Sequence, residues 1–221
     1  MNMKKFEMHL LAAGLCLMGM LSGAKADNAK PIYENNFESA KVDSVPDEFL
    51  VLDGGFAVKE EAGNKYLELP GTPLDSFGVL FGPTEKSDII VSARIKGTKK
   101  GRRFPTFGVG LDGEGGYRLR VSPGKDALEI YKGDLVLASV PYTWKSGEWT
   151  LLNLQITKAG DTWKVAGKAW MQGTPEPAQA LVSYDEKKEP SAGRASIWGS
   201  PYSTTPIQFD DLALRSVGAG K

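Results

Sequence analysis

Histidine and cysteine are almost missing from the 221 residues, with one of each, His9 and Cys16. Both fall within residues 1–26, as do five of the six methionines. That stretch reads as a cleaved targeting segment. Lys4 and Lys5 supply the positive start, His9 to Leu21 is mostly apolar, and Ala24-Lys25-Ala26 is an A-x-A site before Asp27. Leu15 precedes Cys16 where a lipoprotein signal needs a small residue, so Cys16 is read as filler. The alternative is an uncleaved anchor. On the cleaved reading, residues 27–221 hold no His, no Cys and one Met, Met171. This excludes disulfides, thiolate nucleophiles, a Ser-His-Asp triad and His/Cys zinc sites. The exported chain must then stand on its hydrophobic core, and it is long enough to do so as one domain.

An excess of one charge is also lacking. Lys plus Arg and Asp plus Glu each number 27. Without residues 1–26 a small acidic excess remains, which argues against a nucleic-acid or anionic-membrane binder. Beyond the leader no apolar run is long enough to span a membrane. Lys99-Lys100-Gly101-Arg102-Arg103 is the one basic cluster, and it reads as a solvated hairpin tip.

No stretch keeps a helical period over three turns. Period-two alternation is everywhere instead, and it is clearest from Glu148 to Pro177. Thr150, Leu152, Leu154 and Ile156 share one face of a strand, and Asn153 and Gln155 the other. Lys158-Ala159-Gly160-Asp161 is turn chemistry. The return strand sets Trp163, Val165, Gly167 and Ala169 against Lys168 and Trp170. Asp88 to Lys96 repeats the pattern, with Arg94 on the polar face, and so does Gly116 to Val121, with Arg118 and Arg120. Asp53-Gly54-Gly55 is expected to turn a hairpin, and Asp185 to Glu189 to be a solvated turn. Strands of five to ten residues between such turns predict an all-β sandwich or barrel without an internal repeat.

Three stretches narrow this. The opening YENNFESAKVDSVPDEFLVLDGGFAVKEEAGNKYLEL, the W-x-x-L-x-L-x-I-x-x-x-G-x-x-W-x-V-x-G-K-A-W core with its following GTPEP, and the ending PIQFDDLAL resemble LamG-like proteins of the concanavalin A-like lectin/glucanase superfamily. The resemblance spans nearly all of residues 27–221. It implies two antiparallel sheets in a jelly roll, one of them curved, with a concave face that holds carbohydrate in many members. The superfamily includes lectins, binding modules, glycosidases and lyases, so the fold by itself does not assign an activity.

If the four polar strand faces share the curved sheet, Arg94, Arg118, Arg120, Asn153, Gln155, Lys168 and Trp170 line its concavity. Arginine and lysine pair with carboxylate or sulfate, amides match sugar hydroxyls, and an indole offers a flat apolar face. Trp198 and Tyr202 lie near each other in ASIWGSPYSTTP and add an aromatic pair at a loop mouth. The ordinary reading of these residues is the solvent side of an antiparallel sheet, and of the aromatic pair, packing under the loop.

Carboxylates are the test for a glycosidase, which needs two flanking the scissile bond. The E-x-D-x-E strand of laminarinase-type glucanases is missing, and the histidine of the fold's alginate lyases is missing after Asp27. Glu129 has Tyr131 as its same-face partner. Glu38, with Asp210 and Asp211, is a candidate set for a structural calcium ion where first and last strands meet. On a regular strand the two aspartates face opposite ways, so one of them at most would be a ligand. Gly108 to Gly113 matches G-x-G-x-x-G but lacks the following helix, so it reads as a Gly-rich hairpin turn.

The expectation is an exported jelly roll, periplasmic or extracellular, that binds carbohydrate without catalysis. The alternatives are a glycoside hydrolase or lyase of the same fold, such as a 3-keto-disaccharide hydrolase-like enzyme, and a cell-envelope interaction protein with no glycan site. An exposed apolar patch in place of a polar groove would favour the last.

Overall fold

Fifteen strands and one short 3-10 turn make up residues 30–71, 75–202 and 204–217, the residues described by the computed structural model. In chain order the strands are β1 (Lys30–Asn35), β2 (Leu50–Asp53), β3 (Ala57–Glu61), β4 (Asn64–Leu69), β5 (Phe77–Glu85), β6 (Ile89–Lys96), β7 (Thr106–Leu111) and β8 (Tyr117–Ser122). After the turn Pro123–Lys125 come β9 (Ala127–Lys132), β10 (Leu135–Pro141), β11 (Trp149–Ala159), β12 (Thr162–Met171), β13 (Val182–Glu186), β14 (Gly193–Ser200) and β15 (Ile207–Ser216). The leader read at residues 1–26 lies outside the described residues. Among them, no helix is long and apolar enough to cross a membrane.

The strands form two antiparallel sheets in a jelly-roll sandwich. One runs β13-β12-β11-β6-β15-β4-β3, with β1 also paired to β15. The other runs β10-β9-β8-β7-β14-β5-β2. Burial follows the alternation read from sequence. Ile89, Val91, Ala93 and Ile95 of β6, and Leu152, Leu154 and Ile156 of β11, all face the core. On the other sheet Tyr117, Leu119 and Val121 of β8 do the same. Leu119 meets Gly167 across the interior, where a Cβ would lie 2.4 Å from its Cδ1.

Two local expectations fail. Asp53-Gly54-Gly55 turns no hairpin, because β2 pairs with β5 in the seven-stranded sheet and β3 with β4 in the other. This turn carries the chain between sheets, with Gly54 at a φ of 105°. Glu186 is not in a solvated turn either. It closes β13 and is 8% exposed. There it ties the sheets together, accepting hydrogen bonds from Tyr117 Oη at 2.6 Å and Lys132 Nζ at 2.9 Å, both of the opposite sheet. Burial alone would raise its carboxyl. The bonds from Tyr117, the Lys188 backbone and Lys132 outweigh that and bring its pKa down to about 2.

Asp112, at the end of β7, has the opposite balance. It is buried, its Oδ1 lacks a hydrogen-bond partner, and burial lifts its pKa to about 7 against the pull of Lys132. These shifts predict opposite pH dependences. Glu186 contributes about 3 kcal/mol above its unfolded pKa, and this is lost as pH falls from about 4.5 to 2. In urea titrations, Glu186→Gln is therefore less stable than wild type at pH 7, with the gap closing in acid. Charged Asp112 costs stability that grows as pH rises from about 4 to 7. Asn keeps the shape and tolerates the φ of 66°. Asp112→Asn is therefore more stable above pH 7, by about 2 kcal/mol or more, and equal to wild type near pH 3.

Candidate functional site

The outer face of the seven-stranded sheet is built on missing side chains. Trp198 of β14 sits in register between Gly78 of β5 and Gly108 of β7. With no side chain on either flank, the indole lies over the sheet, and a Cβ on Gly78 would come within 2.6 Å of the ring. Its Nε1 donates to Ser196 Oγ at 2.8 Å. Gly108 and Gly110 thus belong to a strand, not to the Gly-rich turn expected. They alternate with buried Phe107, Val109 and Leu111 and leave the outer face bare.

Arg118 and Arg120 of β8 project onto this floor, because Tyr117, Leu119 and Val121 take the core side. The Arg118 guanidinium lies on Trp198, with Cζ 3.3 Å from the ring centroid, and Nη2 donates to the Glu114 carbonyl at 2.7 Å. Burial lowers its pKa. Arg120 lies on Tyr131 of β9, Cζ 3.8 Å from the centroid, and bonds the Tyr131 hydroxyl. Two arginines one strand repeat apart are thus each held against an aromatic ring. Stacking fixes a guanidinium without using up its donors.

Glu129 anchors the second pair from below. It accepts hydrogen bonds from Ser122 Oγ at 2.5 Å, Tyr131 Oη at 3.0 Å and Lys125 Nζ at 3.1 Å, and lies 3.5 Å from Arg120 Nη2. Burial would raise its carboxyl, but these contacts hold it below the ordinary carboxylate range. Its pairing with Tyr131 is the one read from sequence.

Over these groups opens a cavity of about 450 Å³, lined by Arg118, Arg120, Lys125, Tyr131, Trp198 and one carboxylate, Asp134. A second cavity of about 650 Å³ shares Thr106, Arg120, Lys125 and Ser200 with it. It adds Arg102, Arg103, Phe104 and Tyr202.

The residues proposed from sequence do not share one face. Arg118, Arg120, Trp198 and Tyr202 meet here. Arg94 of β6, Asn153 and Gln155 of β11, and Lys168 and Trp170 of β12 lie on the outer face of the opposite sheet. There Glu176 occupies the polar groups, accepting from Lys168 Nζ at 2.8 Å and Asn153 Nδ2 at 3.3 Å. Trp170 and Arg94 line a cavity of about 250 Å³.

Arg94 itself is committed to the protein. Its Nη2 donates to Asp210 Oδ2 at 2.6 Å and to Asn64 Oδ1 at 2.7 Å, and its Cζ stands 4.7 Å from the Trp149 centroid. Asp211 Oδ2 lies 2.9 Å from its Nε. Both aspartates therefore face one arginine, against the alternation expected. The register slips between Asp210 and Ala213, and Asp211 takes a φ of 49°, so a β-bulge turns the second carboxylate to the same side. Glu38 accepts from the Lys65 backbone at 3.1 Å. Among the described residues no three His, Cys, Asp or Glu side chains form a cluster able to hold a metal ion.

No protein-family model matches the chain, and no curated protein sequence does. Solved structures do match in fold. A carbohydrate-binding module, CBM66 from Bacillus subtilis, is 14% identical with a TM-score of 0.52, over 76% of this chain and 96% of its own. A protein of unknown function with a galectin-like fold, also from Bacillus subtilis, is 11% identical at 0.56, over 85% and 96%. A xylan β-1,4-xylosidase from Bacillus halodurans is 14% identical at 0.59 over 84% of this chain, which spans only 39% of that enzyme. The fold is thus the galectin-like, concanavalin A-like sandwich.

The site makes one prediction of its own. Glu129→Gln removes the charged acceptor under Arg120, Lys125 and Ser122 and lowers the unfolding free energy by about 2 kcal/mol at pH 7. Because the Glu129 pKa is depressed, wild type loses this advantage as pH falls through it. Urea titrations at pH 7 and pH 3 measure both.

Proposed function

We propose that this chain is an exported, non-catalytic carbohydrate-binding protein, and that it binds through the outer face of its seven-stranded sheet. The observation that carries the proposal is the pair of arginines stacked on Trp198 and Tyr131 at the floor of an open cavity. Guanidinium donors fixed in this way suit sugar hydroxyls, and they suit the carboxylate or sulfate of an acidic sugar better still. The match in fold to a carbohydrate-binding module supports this reading, as does the LamG-like pattern of the sequence. Export rests on the leader at residues 1–26, which implies a periplasmic or extracellular location.

Among the described residues Asp134 is the single carboxylate in the cavity lining, whereas glycosidic cleavage of the usual kind uses two. Glu129 lies beneath, taken up by four partners. This favours binding over hydrolysis.

A screen of the purified chain against neutral and acidic glycans, with calcium and with chelator, reads bound and cleaved products together. Binding without cleavage is expected. Arg118→Ala weakens it about 10- to 100-fold, the worth of a charge-assisted hydrogen bond or two. Trp170→Ala, on the opposite sheet, leaves it unchanged. Cleaved product, or loss of binding with Trp170→Ala alone, overturns the assignment.

A further inference from the structure

The five-residue basic cluster of the sequence is not merely a solvated tip. It closes the connection between β6 and β7, and its geometry is built. Lys100 and Arg103 exchange backbone hydrogen bonds of 3.0 and 3.1 Å around Gly101, whose φ is 60°. The Lys99 backbone N–H donates to Ser146 Oγ at 2.9 Å, and Thr205 Oγ1 donates to the Thr98 carbonyl. The turn so held brings Arg102 and Arg103 to the lining of the 650 Å³ cavity, which Lys125 and Arg120 also line. Both arginines are exposed, and neither has an ion pair among the described residues.

Among the described residues the two cavities together are lined by five cationic side chains and one carboxylate. The chain as a whole has as many acids as bases. Concentration of one sign along one continuous groove is therefore a property of this face and not of the composition. The two ends of the groove differ in kind. At the β8 end the arginines are stacked and hydrogen-bonded, with little freedom to move. At the loop end they are exposed guanidinium groups, without an ion pair among the described residues, beside Phe104 and Tyr202.

Resting on the glycan reading above, we infer that the ligand is a linear polyanionic glycan, with carboxylate or sulfate groups repeated along the chain. It runs from the stacked arginines to the loop at residues 98–105. One acidic sugar fits the first cavity. The arginines of the second, without an ion pair among the described residues, are placed to meet further charge if the chain continues. A nucleic acid fits the first cavity less well, because its bases need open ring faces. Arg118 already covers Trp198 and Arg120 already covers Tyr131.

Calorimetric titration of the full chain tests this with oligogalacturonates of increasing length, dextran sulfate, unsulfated dextran and single-stranded DNA as probes. Affinity is expected to rise with oligogalacturonate length and to fall as salt screens the loop charges. Dextran sulfate is expected to bind and unsulfated dextran to bind far more weakly. Binding of oligogalacturonate alone identifies carboxylate as the group read, and binding of both identifies anionic charge in general. Arg102→Ala with Arg103→Ala lowers long-chain affinity about tenfold, as two exposed ion pairs are worth, and flattens the length dependence. Both side chains are exposed and without an ion pair among the described residues, so melting of the double variant matches wild type. Length-independent affinity, equal binding of unsulfated dextran, or a double variant with the wild-type length dependence overturns the inference while leaving the glycan reading intact. DNA bound as tightly as the longest oligogalacturonate overturns the ligand class. Failure of every glycan, short or long, charged or neutral, overturns the underlying reading instead.

Discussion

Leu119 against Gly167 is the contact from which both outer faces follow. Each sheet packs on the other through alternate residues only, so whatever precedes or follows an inward residue must point out. Leu119 inward puts Arg118 and Arg120 outside on the seven-stranded sheet. Gly167 inward puts Lys168 outside on the other. The two polar surfaces look away from each other across the whole thickness of the core. No ligand on one face touches the other, so charge on the two faces answers to different needs. On the eight-stranded sheet Arg94, Lys168 and Arg215 are neutralised by Asp210, Glu176 and Glu34. In the two cavities over the seven-stranded sheet, five cations face one carboxylate among the described lining residues.

Strand identity and facing were legible in the sequence because burial acts on each strand separately. The alternations in β6, β8, β11 and β12 need no knowledge of neighbours. Sheet membership was not legible, because it depends on which strands lie side by side. Arg118 and Asn153 look alike in pattern, yet β8 sits between β7 and β9 and β11 between β6 and β12. The pattern alone therefore groups all polar faces into one concavity, and the topology divides them between two sheets. The same gap in information made Asp53-Gly54-Gly55 look like a hairpin. Turn chemistry states that the chain reverses, not which sheet it then joins.

Part of the site was visible in fragments. Glu129 and Tyr131 share a face at a spacing of two, and their hydrogen bond follows. The arginine pair Arg118 and Arg120 and the aromatic pair Trp198 and Tyr202 are each legible in the sequence, but not that the two pairs share a face. The stacks were not visible. Arg118 and Trp198 are 80 positions apart in sequence and meet only because β7, with glycines at 108 and 110, lies between their strands. Those glycines resembled a turn because glycine usually marks one. Here its use is the absence of a side chain on one face, which leaves room for an indole. The bulge at Asp211 was invisible for a related reason, since alternation fails where a residue is inserted.

The stacked arginines also show why this face suits recognition. A free arginine side chain loses roughly 2 kcal/mol of rotamer entropy when a ligand fixes it. Arg118, held between Trp198 and the Glu114 carbonyl, and Arg120, held between Tyr131 and Glu129, have met most of that cost in folding. Folding can meet it because the rings are themselves seated, Trp198 by Gly78 and Ser196, and Tyr131 by Glu129. A structural salt bridge would gain nothing from leaving guanidinium donors open to a cavity. Arg94 shows that alternative on the other sheet, where two aspartates, an asparagine and an indole surround the head group. The contrast between an arginine paired with two carboxylates and two arginines held against rings beside a cavity is what separates scaffold from proposed binding surface in this sandwich.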